Sequence, residues 1–273
     1  MSFAEWIGKS ETRPDTVTAG PVAALSATLD REDPPPQTGD VLPALWHWLY
    51  FLDRHRASEL GPDGHARRGG LLPPVRLPRR MWAGSRFEFH HPLRVGEQVT
   101  RESRVMDIQE KTGRSGPLVF VVVRHEISNA AGQAVAEEHD IVYRDHGGAA
   151  PVQPAPAGAA WERTIQAGDV LLFRYSALTF NAHRIHYDRR YATEVEGYPG
   201  LVVHGPLIAT LLLDLLRRND ASAKVMRFSF RAVSPLFDTA PFVVCGKPEG
   251  ATVRLWAKDA AGNLAMTAEA LIG

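Results

Sequence analysis

Two stretches far apart in the chain end alike. Residues 129–142 read NAAGQAVAEEHDIV and residues 259–272 read DAAGNLAMTAEALI, with the same AAG turn between two runs of strand-forming residues. A tight hairpin needs a residue of positive φ, and glycine supplies it without steric cost. Each stretch therefore reads as two antiparallel strands joined at Gly132 or Gly262. The match goes further back: FEFHHPL (87–93) is echoed by FSFRAVSPL (228–236). Matching order, length and turn point to an internal duplication.

The halves have the same expected layout. VLPALWHWLYFLD (41–53) carries a helix signal, with Pro43 tolerated in the first turn. Strands follow within 86–108 and 117–127. In the second half HGPLIATLLLDLLRR (204–218) is the helix, followed by strand signals in 226–238, 241–248 and 252–259. Between the halves, HGGAAPVQPAPAG (146–158) is rich in Ala, Pro and Gly and reads as a semi-extended linker. The expected division is an N-terminal unit 1–148, a linker 149–160 and a C-terminal unit 161–273.

Composition narrows the function. With 44% hydrophobic residues the chain is globular; 31 basic and 31 acidic residues cancel, so no global attraction to nucleic acid or membrane follows. The single cysteine, Cys245, excludes an internal disulfide framework. No run of eighteen apolar residues suggests a membrane span, and the first fifteen residues lack the regions of a secretion signal, so a cytoplasmic protein is expected.

The halves differ in one respect. Only the second sets polar residues ahead of its helix in the spacing N-x-x-x-x-H, Asn181 and His186, and only the second starts that helix with a His-Gly pair, His204 and Gly205. One active and one supporting copy are expected.

An apolar helix must be buried, and a curved antiparallel sheet wrapped round it resembles the hot-dog fold. The expected class is α+β, a double hot-dog, with two antiparallel sheets each wrapped around a long central helix and paired edge to edge. The segment FRYSALTFNAHRIHYDRRYA is similar to the motif of the MaoC-like, or hydratase 2, family: an aromatic, small residues, Ser/Thr, then Gly-Asp-x-Asn-Pro-Ile/Leu-His. Tyr175, Ser176, Ala177, Ile185-His186 and Tyr191-Ala192 keep that frame. GLVVHGPLIATLL (200–212) resembles the start of the family's helix. The departures are specific: Asn181 stands at the family's catalytic Asp, Phe180 at its Gly, and His183-Arg184 at its Asn-Pro. This variant looks like the branch containing mitochondrial-type 3-hydroxyacyl-thioester dehydratases and mesaconyl- or itaconyl-CoA hydratases, which are also two-hot-dog chains.

The resemblance implies a hydro-lyase acting on a CoA thioester, a reversible addition of water to a 2-enoyl-CoA, with a short branched dicarboxylic acyl group (itaconyl-CoA or mesaconyl-C4-CoA) favoured. His186 is the expected base, because imidazole exchanges protons near neutral pH. Asn181 is expected to hold the water in line. The helix start at His204 and Gly205 offers backbone N–H donors to an enolate oxygen. Tyr175, Arg184 and Val203 are the expected substrate contacts. No cofactor is called for, and a metal on His183, His186 and His204 is the weaker reading, so no metal is expected. The rivals are a general 3-hydroxyacyl-thioester dehydratase of fatty-acid synthesis and a non-catalytic acyl-CoA-binding hot-dog protein. A monomer with two hot-dogs and a homodimer both fit.

Overall fold

Alternation drives the sheet. In LVFVVVRHEI the residues Val119, Val121, Val123 and Ile127 are buried while their neighbours are half-buried, the two-residue period of a strand. A computed structural model describes residues 3–113, 116–145 and 152–273. The first half supplies β1 (Ser10–Thr16), α1 (Ala19–Thr28), β2 (Arg79–Phe89), β3 (Gln98–Gly113), β4 (Gly116–Asn129) and β5 (Gly132–Arg144). The second supplies β6 (Trp161–Ile165), α2 (Asp169–Leu178), α3 (Gly205–Asn219), β7 (Val225–Ala232), β8 (Phe242–Glu249), β9 (Thr252–Lys258) and β10 (Leu264–Ile272).

The strand order is β1-β3-β4-β5-β2-β7-β10-β9-β8-β6. Read from either edge, the two halves follow the same path: β1 matches β6, β3 matches β8, and so on to β2 and β7 at the centre. The expected AAG hairpins are present, β4 to β5 through Gly132 (φ +112°) and β9 to β10 through Gly262 (φ +85°).

Two expectations need correcting. The two sheets do pair edge to edge, but the pairing makes them one ten-stranded sheet, with β2 and β7 antiparallel from Gly84↔Arg231 to Glu88↔Arg227. Phe87, Phe228 and Phe230 pack across this seam. Gly84 is needed there: a Cβ on it would lie 2.5 Å from the Phe230 carbonyl oxygen. One buried apolar cluster accordingly runs through both halves, from Val17 to Ala270.

The second correction is the long helix of the first half. Residues 41–53 form only a short 3-10 turn, Trp46–Leu49, flanked by Leu45 and Phe51 with positive φ. The segment is dense in Trp, His, Tyr and Phe, which are weak helix formers. Its polar groups are also claimed by the sheet. His47 Nε2 and Trp48 Nε1 both meet the buried Glu137 carboxylate at 3.0 Å, and the Phe51 N–H donates to Asp15 at 2.6 Å.

In the second half the helix forms as expected. Every residue of α3 from Leu207 to Leu216 is buried, against β6, β8, β9 and β10. Asp214 is held in that environment by Arg31, Arg163 and Arg218 at 2.6–2.9 Å, which fixes the helix against both halves. The expected linker lies partly outside the described residues (149–151). The remainder is not free: Ala155 N–H donates to Gly262 and Leu264 N–H to Gln153, so the segment lines the β9–β10 hairpin.

Candidate active site

The site begins where α2 stops. The Phe180 N–H bonds to the Ala177 carbonyl and the Asn181 N–H to the Ser176 carbonyl, with Phe180 left-handed at φ +51°. This is the paired bonding of a Schellman ending, whose left-handed position ordinarily takes glycine. It explains why the resembled motif carries Gly where this chain has Phe180. The reversal sends Asn181 to His186 back across the end of α2 towards the start of α3.

Asn181 then shapes the next turn. Its side-chain carbonyl accepts the His183 N–H at 3.0 Å. That bond occupies one lone pair of the amide oxygen, and the amide NH2 has no hydrogen-bond partner among the described residues.

His186 closes the 3-10 turn Arg184–His186 and is buried. Its Nδ1 lies 2.7 Å from the Val202 carbonyl. A carbonyl only accepts, so Nδ1 carries the proton and Nε2 keeps a lone pair. Burial pushes its pKa down to about 4, partly offset by the Val202 bond. The ring is neutral at pH 7. Val202 is itself braced, its N–H donating to Ile185.

His204 caps α3 and stacks on His186, ring centres 3.7 Å apart and 18° between planes. Ser176 Oγ meets its Nε2 at 2.8 Å, and Tyr175 packs on it edge-on at 5.1 Å. Burial, with His186 and His183 beside it, holds its pKa well below the ordinary histidine value. Its Nδ1 is buried without a hydrogen-bond partner among the described residues. His204 therefore serves as a packed, uncharged wall behind His186.

Gly205 opens α3, and a Cβ built on it meets nothing within 4 Å. Neither packing nor backbone angle demands glycine here, so the space is simply open. Pro206 removes one donor from the first turn, and the Ile208 N–H already binds His204. Among the described residues this leaves the Gly205 and Leu207 N–H groups without a backbone partner; Leu207 is fully buried, so Gly205 is the donor at the open end of the helix, with the positive end of the helix dipole behind it.

The other expected contacts are placed differently. Tyr175 and Val203 are buried in the core, at 2% and 3% exposure. Tyr175 is tied to Thr210, and Val203 donates its N–H to Leu236. Both support the wall of the site. Arg184 is committed to Asp188 (2.7 Å) and to the Pro62 carbonyl (2.9 Å). Asp188 thus points at Arg184. Arg189 binds Asp169 and Asp238, and Arg190 binds Glu194.

The sequence reading missed the loop GPDGH, residues 61–65. It comes from the first half, yet it seats on the motif of the second. The Arg184 N–H donates to the Asp63 carbonyl at 2.9 Å, and Gly64 (φ +88°) lies so close that a Cβ would meet the Ala182 carbonyl oxygen at 1.8 Å. Asp63 holds His65 Nδ1 at 2.9 Å, and the His65 ring lies 4.0 Å from that of His183. His183 in turn meets His186 edge-on at 5.3 Å. Four imidazoles from both halves thus form one row. The only local signal was the Pro-Asp-Gly turn.

The chain is similar to known proteins in sequence and in fold. The family model for hydroxyacyl-thioester dehydratase type 2 matches residues 45–238. The mesaconyl-C(4)-CoA hydratase of Chloroflexus aurantiacus is 47% identical over 280 aligned residues, covering 100% of both chains. The mitochondrial hydroxyacyl-thioester dehydratase type 2 of Schizosaccharomyces pombe is 29% identical, covering 77% of this chain and 78% of that one. Among solved structures, a MaoC-like dehydratase superposes with a TM-score of 0.74 at 16% identity, covering 99% of each chain. A conserved Mycobacterium tuberculosis protein with a double hotdogfold gives 0.61 at 13% identity over 98% of this chain and 96% of that one. The fold is thus that of the hot-dog dehydratases.

Proposed function

The chain belongs to the hydroxyacyl-thioester dehydratase type 2 family, and from that premise we propose that it is a hydro-lyase adding water reversibly to a short branched dicarboxylic 2-enoyl-CoA, mesaconyl-C4-CoA or itaconyl-CoA. One observation carries the chemistry: the Val202 carbonyl fixes His186 with its Nε2 lone pair free, on the path between Asn181 and the open start of α3. We keep the first half, 1–148, as the supporting unit and 161–273 as the unit that carries the chemistry, each taken as one hot-dog.

Water held by the Asn181 amide gives a proton to His186 Nε2 while its oxygen bonds to the β-carbon. The π-electrons of the C=C shift towards the thioester carbonyl, whose oxygen takes the charge as an enolate, and the Gly205 N–H at the start of α3 stabilises it. The enolate then collapses, and the α-carbon takes the proton from His186. The balance is one water added, with the base regenerated. Asn181 has no proton-transfer role, so one imidazole does both transfers. Its low proton affinity makes the imidazolium quick to return the proton, and the enolate's negative charge favours that ion while it lasts.

The dicarboxylic preference rests on the 47% identical relative. The arginines of the motif do not support it, because Arg184, Arg189 and Arg190 each have a carboxylate partner. The second reading, a general 3-hydroxyacyl-thioester dehydratase, is favoured by the Schizosaccharomyces pombe relative. The test is loss of enoyl-thioester absorbance with mesaconyl-C4-CoA, itaconyl-CoA and crotonyl-CoA side by side. Faster turnover of the dicarboxylic substrates is expected. Preference for crotonyl-CoA selects the second reading, and no turnover of any of them sinks the hydro-lyase.

A further inference from the structure

Asp63, His65 and His183 each offer one donor atom, and those three atoms all lie within 4.8 Å of one another. Two come from the loop of the first half and one from the motif of the second. None of them has a role in the hydration chemistry above. His183 makes no side-chain hydrogen bond among the described residues; its ring touches only His65 and His186.

We propose that these three residues form a binding site for a divalent transition ion of the zinc class, bridging the two halves of the chain. Two imidazoles and one carboxylate are a donor set that zinc accepts, leaving a fourth position for water. A tetrahedral ion with bonds of ~2.0–2.1 Å holds its donors roughly 3.3 Å apart, so three donor atoms within 4.8 Å of one another draw in when it binds. The loop is already held for this. The bond from Arg184 N–H to the Asp63 carbonyl and the close seat of Gly64 on Ala182 fix its backbone against the residues flanking His183.

A bound ion pins His183, whose ring lies 5.3 Å from that of His186, and adds positive charge beside the base. Filling the site slows hydration.

The experiment is calorimetric titration of the full chain, stripped with chelator, with zinc chloride, alongside cobalt(II) absorption. The expected result is one equivalent bound by the wild type, a visible cobalt band of low-coordinate type, and loss of both in His65→Gln and in His183→Gln. Removing a direct ligand should cost more than the ~10–100-fold typical of an outer-shell partner. Circular dichroism checks that the variants fold; Asp63→Asn, which preserves shape, must weaken zinc binding in the same direction. Absence of zinc binding by the wild type, or unchanged stoichiometry and affinity in the two histidine variants, overturns the proposal.

Discussion

The imidazoles of His186 and His204 lie face to face at 3.7 Å, and their surroundings differ. His204 has its Nε2 on Ser176, its ring against Tyr175 and its Nδ1 buried; His186 has its Nδ1 on Val202, and its Nε2 has no hydrogen-bond partner among the described residues. His186→Ala should therefore lower kcat by the ~10²–10⁴-fold that a positioned acid–base group contributes, with KM little changed. His204→Asn should shift KM and stability more than kcat. Steady-state kinetics on both variants separates the roles, and equal loss of kcat in the two would contradict the assignment.

Stability should fall on mild acidification. The folded-state pKa values of His65, His125, His183, His186 and His204 are all lowered, chiefly by burial, to about 4 for His186 and about 2 for His183. In the unfolded chain they titrate near ~6.5. Above that pH neither state is protonated, and the effect is nil. Below it the unfolded chain takes up protons that the folded chain refuses, so stability is lost progressively as pH falls from ~6.5 towards 4. Thermal unfolding across pH 8 to 4 should show a Tm that is flat at first and then drops. A flat Tm down to pH 5 would mean that these histidines are not held neutral.

How much of this was legible depended on whether the signal was local. The AAG hairpins and α3 were read correctly because a turn glycine and an all-round apolar helix are written in consecutive residues. α2 was missed because Val170 and Phe173 sit on its exposed side, at 66% and 63% exposure, and blur the apolar stripe. The helix expected over 41–53 failed because Glu137, distant in sequence, takes the polar groups of His47 and Trp48. His186 was singled out by its spacing from Asn181, but the bond that sets its tautomer comes from Val202, on the far side of a turn. The loop of Asp63 and His65 meets the motif only in space, and nothing near it in sequence marks it as part of the site.

Phe180→Gly should stabilise the protein. Phe180 holds φ +51° at the end of α2, a conformation that costs a residue with a Cβ roughly 1–2 kcal/mol. Its side chain is 56% exposed, so little apolar burial is lost on truncation. The gain in the folded state exceeds the added freedom that glycine brings to the unfolded chain, which is worth under ~1 kcal/mol. Denaturant unfolding should show a raised midpoint with an unchanged slope. A lowered midpoint would mean that the ring contributes packing outweighing the backbone strain.

Gly205→Ala separates fold from function at a single atom. The added methyl meets nothing within 4 Å, and alanine is favoured over glycine in a helix by up to ~1 kcal/mol, so Tm should hold or rise slightly. The methyl nevertheless takes up open space beside the Gly205 N–H, the group to which the proposed reaction brings the thioester oxygen. Displacing a reacting group by about 1 Å costs on the order of 10²-fold in rate. The variant should fold as well as the wild type and hydrate far more slowly, with the loss appearing in kcat/KM. If the rate is unchanged, the enolate is stabilised elsewhere, and the start of α3 is only the floor of the pocket.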